Sequence, residues 1–227
     1  MTRVWLLLLG AAATLGFAMV VLVVLPGALL VRIEPSAGLA PYGEREARGR
    51  AVYIADGCVY CHSQQVRDPS FTSDVDRGWG RRASLPADYV HDAPHLLGTM
   101  RTGPDLLNVG ARLPDPSWHL IHLYDPRAVV PWSIMPPFRH RFELRDADAV
   151  GPGDTVVPLP AGRVPEGQVV VAKPEAIALV AYLLSLRRDA PPGAAALLDV
   201  DSRFWCGQGD EPRLARRGEA PAAETPR

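Results

Sequence analysis

The stretch Cys58-Val59-Tyr60-Cys61-His62 has the pattern C-x-x-C-H, the attachment signature of a c-type haem. The two thiols become thioethers to the porphyrin, and the histidine that follows directly is held beneath the iron as an axial ligand. In a chain of this composition a chance match is expected on the order of 0.001 times, so coincidence is a poor explanation. The sequence therefore predicts one covalent haem c at Cys58 and Cys61, with His62 on the iron.

The cysteine pair has three alternative roles: a zinc site, a thioredoxin-like redox pair and a plain disulfide. A zinc site would take a second ligand pair, whereas the only other cysteine is Cys206. A thioredoxin motif belongs in a βαβ unit, and the sequence shows no such pattern. These roles rank below haem. Cys206 is unpaired by count, either inert or a free or intermolecular thiol.

The sixth iron position separates an electron carrier from a centre that binds ligands or catalyses a reaction. Met135 lies in Ile-Met-Pro-Pro, where the prolines stiffen the backbone and can present the thioether at low entropic cost. Met100 stands beside the charged Arg101 and is the weaker candidate. We predict Met135 as the second iron ligand, and a core-filling methionine is the alternative.

Histidines offer a different sixth ligand. His119 and His122 are three residues apart, so a helix would place both on one face. Without further ligands in view, we expect surface or hydrogen-bonded histidines here, and the same for His91 and His95. Ligation of the iron by two histidines is the less expected arrangement.

The run Arg101-Thr102-Gly103-Pro104-Asp105-Leu106 predicts residues that contact the haem or its histidine ligand without binding the iron themselves. A ligating histidine usually donates its other ring N–H to a carbonyl, and a rigid Gly-Pro turn offers one in fixed position. We therefore predict Pro104 as the partner of His62. Arg101 could pair with a haem propionate, and a solvated surface arginine is an equally weighted alternative.

The amino-terminal part of the chain has no charged residue from Val4 to Val31. As a helix this run would be about 42 Å long, against a hydrocarbon core of about 30 Å. A cleaved signal peptide would have a shorter apolar region, so we predict an uncleaved transmembrane anchor, with Pro26 and Gly27 kinking or ending it. The flanking arginines are more numerous after the run than before it, a weak signal that would place the following domain in the cytoplasm. Covalent haem attachment instead places that domain outside the cytoplasm.

The composition and residue patterns of the 227-residue chain limit the fold and the partners that it can have. A net charge of −1 argues against a nucleic-acid partner, and 20 glycines with 23 prolines indicate long irregular segments. We predict a helix over 44–56, a helical turn over 118–124, a small hairpin from the valines at 156–157 and 169–171, and an amphipathic helix from Pro174.

The predicted fold is mainly α: a single N-terminal transmembrane helix, then a loop-rich cytochrome c-type helical domain with long insertions. The predicted divisions are an anchor at 1–34, a linker at 35–43, a cytochrome c domain at 44–190 and a flexible tail at 191–227.

With these residues in place, the chain resembles the membrane-anchored mono-haem cytochrome c subunit, subunit II, of cbb3-type cytochrome c oxidases over about residues 1–138. Besides the C-x-x-C-H and Arg-Thr-Gly-Pro segments, the resemblance rests on Trp118-His119, His122-Leu123, Pro126-Arg127, Val129-Val130-Pro131 and Ser133-Ile134-Met135-Pro136. The chain departs from the family pattern at Gln65-Val66-Arg67-Asp68-Pro69, Asp92-Ala93-Pro94 and Leu97-Gly98-Thr99-Met100. The departures bear on subunit contacts rather than on the haem.

The resemblance implies thioethers at Cys58 and Cys61, iron ligation by His62 and Met135, and a single-pass protein of the bacterial cytoplasmic membrane with its haem domain in the periplasm. It also implies a haem-copper catalytic subunit as electron acceptor, with a further cytochrome c subunit or a soluble donor, and no bond chemistry in this subunit itself. The alternatives are the anchored cytochrome c subunit of a nitric oxide reductase, and a haem sensor or peroxidase with an open iron position.

Overall fold

A computed structural model of the protein describes residues 2–70 and 72–189, so the predicted tail and Cys206 lie outside the described residues. The α-helices are α1 Thr2–Met19, α2 Leu25–Leu30, α3 Glu44–Ala55, α4 Val109–Arg112, α5 Pro116–Tyr124 and α6 Pro174–Ser185. The strands are β1 Phe142–Asp146, β2 Thr155–Val156 and β3 Gln168–Ala172. Short 3₁₀ turns lie at Cys58–Tyr60, Pro86–Asp88, Pro126–Ala128, Arg139–Arg141 and Ala147–Ala149. The predicted mainly helical architecture is confirmed.

The amino-terminal helix runs without interruption from Arg3 to Leu30, with a mean hydropathy of 2.6. Its side chains are not buried against the rest of the described structure. Of the two predicted outcomes, a kink or an end at Pro26 and Gly27, the end is wrong, because the helix continues to Leu30; residues Val20–Val24 form a π-helical stretch just before Pro26. Proline has no N–H to donate to the preceding turn, and a local widening absorbs that mismatch. The length and composition of this helix indicate membrane anchoring.

Helices α3 and α6 form the centre of the folded domain. They approach closely at Gly49, where an added Cβ would overlap the backbone carbonyl of Ala178. Beside this contact the rings of Tyr53 and Tyr182 meet edge to face, with centroids 5.4 Å apart. Both tyrosines are fully buried in the main hydrophobic core. A glycine at the crossing lets the helix backbones touch, and the aromatic pair fills the space next to it.

The insertion between α5 and α6 forms a three-stranded antiparallel sheet in the order β1-β3-β2. The predicted pairing of the two valine-rich segments is confirmed, because Val156 lies opposite Val171. The sequence prediction missed β1, which pairs with β3 over its whole length from Phe142 to Asp146. Three of the five residues of β1 are charged and only Phe142 is buried, so the segment lacks the composition of a typical strand.

Candidate functional site

Residues 57–65, named here the attachment loop, leave α3 through a sharp turn. Gly57 has φ +70°, a left-handed conformation that L side chains rarely adopt, so the glycine lets the chain turn at this point. The 3₁₀ turn Cys58–Tyr60 follows, and the backbone N–H of His62 donates to the carbonyl of Cys58 at 3.0 Å. These local bonds hold both cysteines and His62 on one compact turn.

The imidazole of His62 is fixed from one side by the Gly-Pro turn. Its Nδ1 lies 2.7 Å from the carbonyl oxygen of Pro104, and because a carbonyl only accepts, Nδ1 carries the proton and donates. The backbone N–H of Gly103 donates to the carbonyl of Cys61 at 2.9 Å, and a Cβ at Gly103 would overlap the His62 ring. Burial lowers the pKa of His62, so its ring is neutral and Nε2 is the nitrogen left for a ligand.

Asp105 organises the same region, a role that the sequence prediction did not give it. Its carboxylate accepts from Ser63 Oγ at 2.6 Å, from the backbone N–H of Gln65 at 2.7 Å and from that of Leu107 at 2.8 Å. The side chain is completely buried, and burial raises its pKa. The short side chain of an Asp that follows Gly-Pro commonly caps a nearby backbone turn, and this was the available sequence signal.

An apolar cavity opens beside the attachment loop and contains about 980 Å³ of space including its open mouth. The wall brings together parts of the chain that are far apart in sequence. It includes Tyr53, Cys58, Cys61, His62, Thr102, Gly103, Pro104, Leu106, Val109, Trp118, His119, His122, Leu123, Val130, Ser133, Ile134, Met135, Pro136, Leu179 and Leu183.

Residues 131–141, named here the Met135 segment, supply the part of the wall that contains the predicted sixth ligand. Met135 is half-buried on the cavity wall, and its backbone N–H donates to Ser133 Oγ at 3.2 Å. Past the two prolines, the N–H of Phe138 donates to the carbonyl of Leu123 at 2.8 Å. The structure therefore brings Met135 to the same cavity as Cys58, Cys61 and His62.

Two histidines of α5 line the cavity in different ways. His119 is buried and donates from Nε2 to the carbonyl of Leu113 at 2.8 Å, as expected for a hydrogen-bonded histidine. His122 departs from that expectation, because its Nδ1 is buried without a hydrogen-bond partner and its ring stacks on Trp118 at 4.7 Å. Burial, with the nearby His62 and His119, lowers the pKa of His122 to about 3, so its imidazole is neutral.

Arg101 is not among the residues that line the cavity. Its guanidinium pairs with Asp74, donates to the carbonyl of Gln65 at 2.5 Å and lies over the ring of Trp79 at 5.2 Å. Arg101 is therefore not a solvated surface arginine, and its contact with a haem propionate stays a prediction. Met100 is 56% exposed and also lies away from the cavity wall, which leaves Met135 as the methionine at this site.

The remaining chemistry of the cavity bears on the alternatives to haem. Cys58 and Cys61 are both free thiols. Within residues 2–70 and 72–189 no group of three or more His, Cys, Asp or Glu side chains is arranged to hold a metal ion, so a zinc site has no second ligand pair there.

The residues present fit a haem. The wall is mainly apolar, two free thiols and a neutral histidine face it, and Met135 completes it. On this wall, His122 Nδ1 is buried without a hydrogen-bond partner. A buried polar atom left unpaired costs about 1–3 kcal/mol, so its presence on the cavity is consistent with a site shaped around a bound group.

A C-x-x-C-H turn that opens onto such a cavity, in a mainly helical domain behind one long apolar helix, is the arrangement of a membrane-attached mono-haem cytochrome. The chain belongs to a particular family of that class, since residues 2–151 match the model of the family described as Cytochrome C oxidase, mono-heme subunit/FixO. The protein is thus a mono-haem subunit of a cytochrome c oxidase that takes part in electron transfer, and its partners are oxidase subunits. A search of curated proteins found no match.

Proposed function

We propose that this subunit carries one covalent haem c, ligated by His62 and Met135, and relays electrons toward the oxygen-reducing subunit of a haem-copper oxidase. The observation that carries the proposal is the shared cavity, which brings the two thiols, the oriented imidazole and the thioether of Met135 to one wall. The bound haem supplies a one-electron carrier whose potential depends on its axial ligands and on the exclusion of water.

Each residue has a distinct part in this proposal. Cys58 and Cys61 form the thioethers, and His62 offers Nε2 to the iron because its Nδ1 proton is held by the carbonyl of Pro104. Met135 offers a soft sulfur ligand, which raises the potential relative to a second histidine. The predicted contact of Arg101 with a haem propionate is kept in this proposal, with Asp74 and Gln65 holding the guanidinium.

The long apolar helix serves in this proposal as a single-pass anchor in the bacterial cytoplasmic membrane. Covalent haem attachment takes place outside the cytoplasm, so the domain that follows the helix lies in the periplasm. Anchoring keeps the haem beside the membrane-embedded catalytic subunit, while a further cytochrome c subunit or a soluble cytochrome donates electrons. The family match favours an oxidase over a nitric oxide reductase, and a methionine on the cavity wall argues against an open iron position.

The ligand assignment is tested by comparing Met135→Ala with Met100→Ala in the full chain, produced with c-type maturation machinery. Met100 is the matched control because it is exposed and lies away from the cavity. We expect Met135→Ala to keep its covalent haem, lose the sulfur-to-iron absorption band and shift to a lower potential, while Met100→Ala stays like the wild type. An unchanged spectrum in Met135→Ala would contradict the assignment.

A further inference from the structure

Asp56 and Arg141 join the two parts of the chain that carry the proposed haem ligands. Asp56 caps the end of α3 and stands just before the attachment loop, while Arg141 is the last residue of the Met135 segment. The guanidinium makes a two-pronged contact with the carboxylate: Nε donates to Oδ2 at 3.1 Å and Nη2 donates to Oδ1 at 2.6 Å. Bidentate pairs of this kind are among the strongest and most directional hydrogen bonds in proteins.

The pair is sheltered and is supported by its neighbours. The Asp56 side chain is only 5% exposed and that of Arg141 22% exposed, so solvent screens their interaction less than at an open surface. His140 Nε2 lies 3.4 Å from Asp56 Oδ1, and the backbone N–H of Lys173 donates to the carbonyl of Arg141 at 3.0 Å. The end of the Met135 segment is thus held by a charge pair on one side and by the chain that follows β3 on the other.

Met135 itself has few restraints. Pro136 and Pro137 cannot donate backbone hydrogen bonds, and Ile134, which precedes Met135, is 70% exposed. The next backbone bond that ties this segment to α5 is the one from Phe138 to Leu123. Because proline stiffens the chain between Met135 and Phe138, a displacement at Arg141 is transmitted toward Met135 rather than lost in a flexible linker.

We propose that Arg141 is a positioning residue for the sixth ligand: by clamping the Met135 segment to Asp56 at the edge of the attachment loop, it keeps the thioether of Met135 on the iron. This inference rests on the proposed function, because it presupposes ligation by Met135. It assigns a role in haem ligation to the ion pair that connects the sheet-containing insertion to α3. Loss of the clamp frees the end of the segment and lets external ligands compete with Met135.

The test uses the full holoprotein with Arg141→Gln and, as matched control, Arg145→Gln. Arg145 lies on β1 and pairs with Glu143 and Asp154 through the same guanidinium chemistry, but none of these three residues belongs to the Met135 segment or borders the attachment loop. Imidazole must displace Met135 to bind the iron, so its apparent affinity reports how firmly the thioether is held. We expect Arg141→Gln to bind imidazole about tenfold more tightly than the wild type, as the loss of a charged hydrogen bond predicts.

Two further variants separate positioning from a general loss of stability. Arg141→Lys keeps the positive charge but cannot make both hydrogen bonds to Asp56, and we expect it to raise the imidazole affinity about threefold. In the double variant Asp56→Asn with Arg141→Gln, the effect should be no larger than in the stronger single variant, since both changes remove one interaction. A haem stain on a denaturing gel and the helical circular dichroism signal show in each case that the folded holoprotein is present.

Equal imidazole affinities in Arg141→Gln, Arg145→Gln and the wild type would overturn the proposal. So would equal increases in the two variants, because these would report general destabilisation. If the wild type already lacks the sulfur-to-iron band, the proposed function fails at its ligand assignment. A wild type with the band, together with an unresponsive Arg141→Gln, refutes the clamp alone.

Discussion

The two sides of the cavity are built differently. On the His62 side, the attachment loop and the Gly-Pro turn are cross-linked by several short bonds, among them those of Pro104, Gly103 and Asp105. On the other side, Met135 is held by one bond to Ser133 and by contacts farther along its segment. The His62 side is thus fixed by packing and hydrogen bonds together, whereas the Met135 side depends on the ends of a stiff segment. Ligation should therefore fail first at Met135.

The largest effect is expected from adding a methyl group at Gly103, next to the His62 ring. In Gly103→Ala the added methyl would overlap the imidazole ring, and overpacking of this kind costs about 3 kcal/mol in the free energy of unfolding. Urea unfolding of the holoprotein measures the change. Gly153→Ala is the control, since a Cβ there has no heavy atom within 4 Å. Equal stability of the two variants would show that the turn does not press on His62.

Removal of the buried carboxylate should be the next largest change. Asp105→Ala leaves Ser63 Oγ and two backbone N–H groups without their acceptor, which should cost about 2 kcal/mol of stability. The exposed Asp148→Ala is the control for loss of a negative charge. We expect the sulfur-to-iron band of Asp105→Ala to persist until global unfolding. A band lost well before unfolding would contradict the idea that Asp105 acts on the His62 side.

Acid should weaken the Met135 side through Asp56. Burial alone would raise the pKa of Asp56, but the hydrogen bonds from Arg141 and His140 outweigh it and hold the pKa below its ordinary value of 3.8. A lowered folded-state pKa means that the pair stabilises the fold above pH 3.8 and that this contribution is lost as the pH falls through the lower value. We expect the sulfur-to-iron band to fade in that range in the wild type. In Asp56→Asn the band should be weaker at neutral pH and lack this acid step.

The smallest effect is expected at Ser133. In Ser133→Ala the backbone N–H of Met135 loses its acceptor, which should cost about 1 kcal/mol. Imidazole titration should show a modest gain in affinity, smaller than that of Arg141→Gln. Ser185→Ala is the control, because its hydroxyl bonds within α6 to the carbonyl of Tyr182. A larger gain in imidazole affinity in Ser133→Ala than in Arg141→Gln would show that the main restraint on Met135 lies at the amino-terminal end of its segment.

The sequence predicted what depends on short-range patterns. The C-x-x-C-H turn placed the cysteines beside His62, the Gly-Pro turn predicted the contact with Pro104, and capping and periodicity predicted α3 and α6. Met135 was predicted from the stiffness of its own surroundings, and the structure places it on the cavity wall, while its ligation of the iron stays a prediction.

What the sequence did not predict depends on residues far apart in the chain. Arg101 pairs with Asp74 and lies over the ring of Trp79. Both partners belong to a polar segment without periodicity, so no sequence pattern predicted these contacts. Strand β1 is recognisable only from its pairing with β3, because its own composition is largely charged. The buried position of His122 Nδ1 likewise follows from the stacking of the ring on Trp118 beside the cavity, which no local pattern encodes.

The most direct test of a haem held between His62 and Met135 is the nuclear magnetic resonance spectrum of the reduced holoprotein labelled at its methionine methyl groups. A methyl group placed over the haem is shifted far upfield by the ring current. Of the four methionines, we predict one strongly shifted methyl signal that disappears in Met135→Ala and persists in Met100→Ala. Absence of a shifted methyl in the wild type, or its persistence in Met135→Ala, would contradict the account.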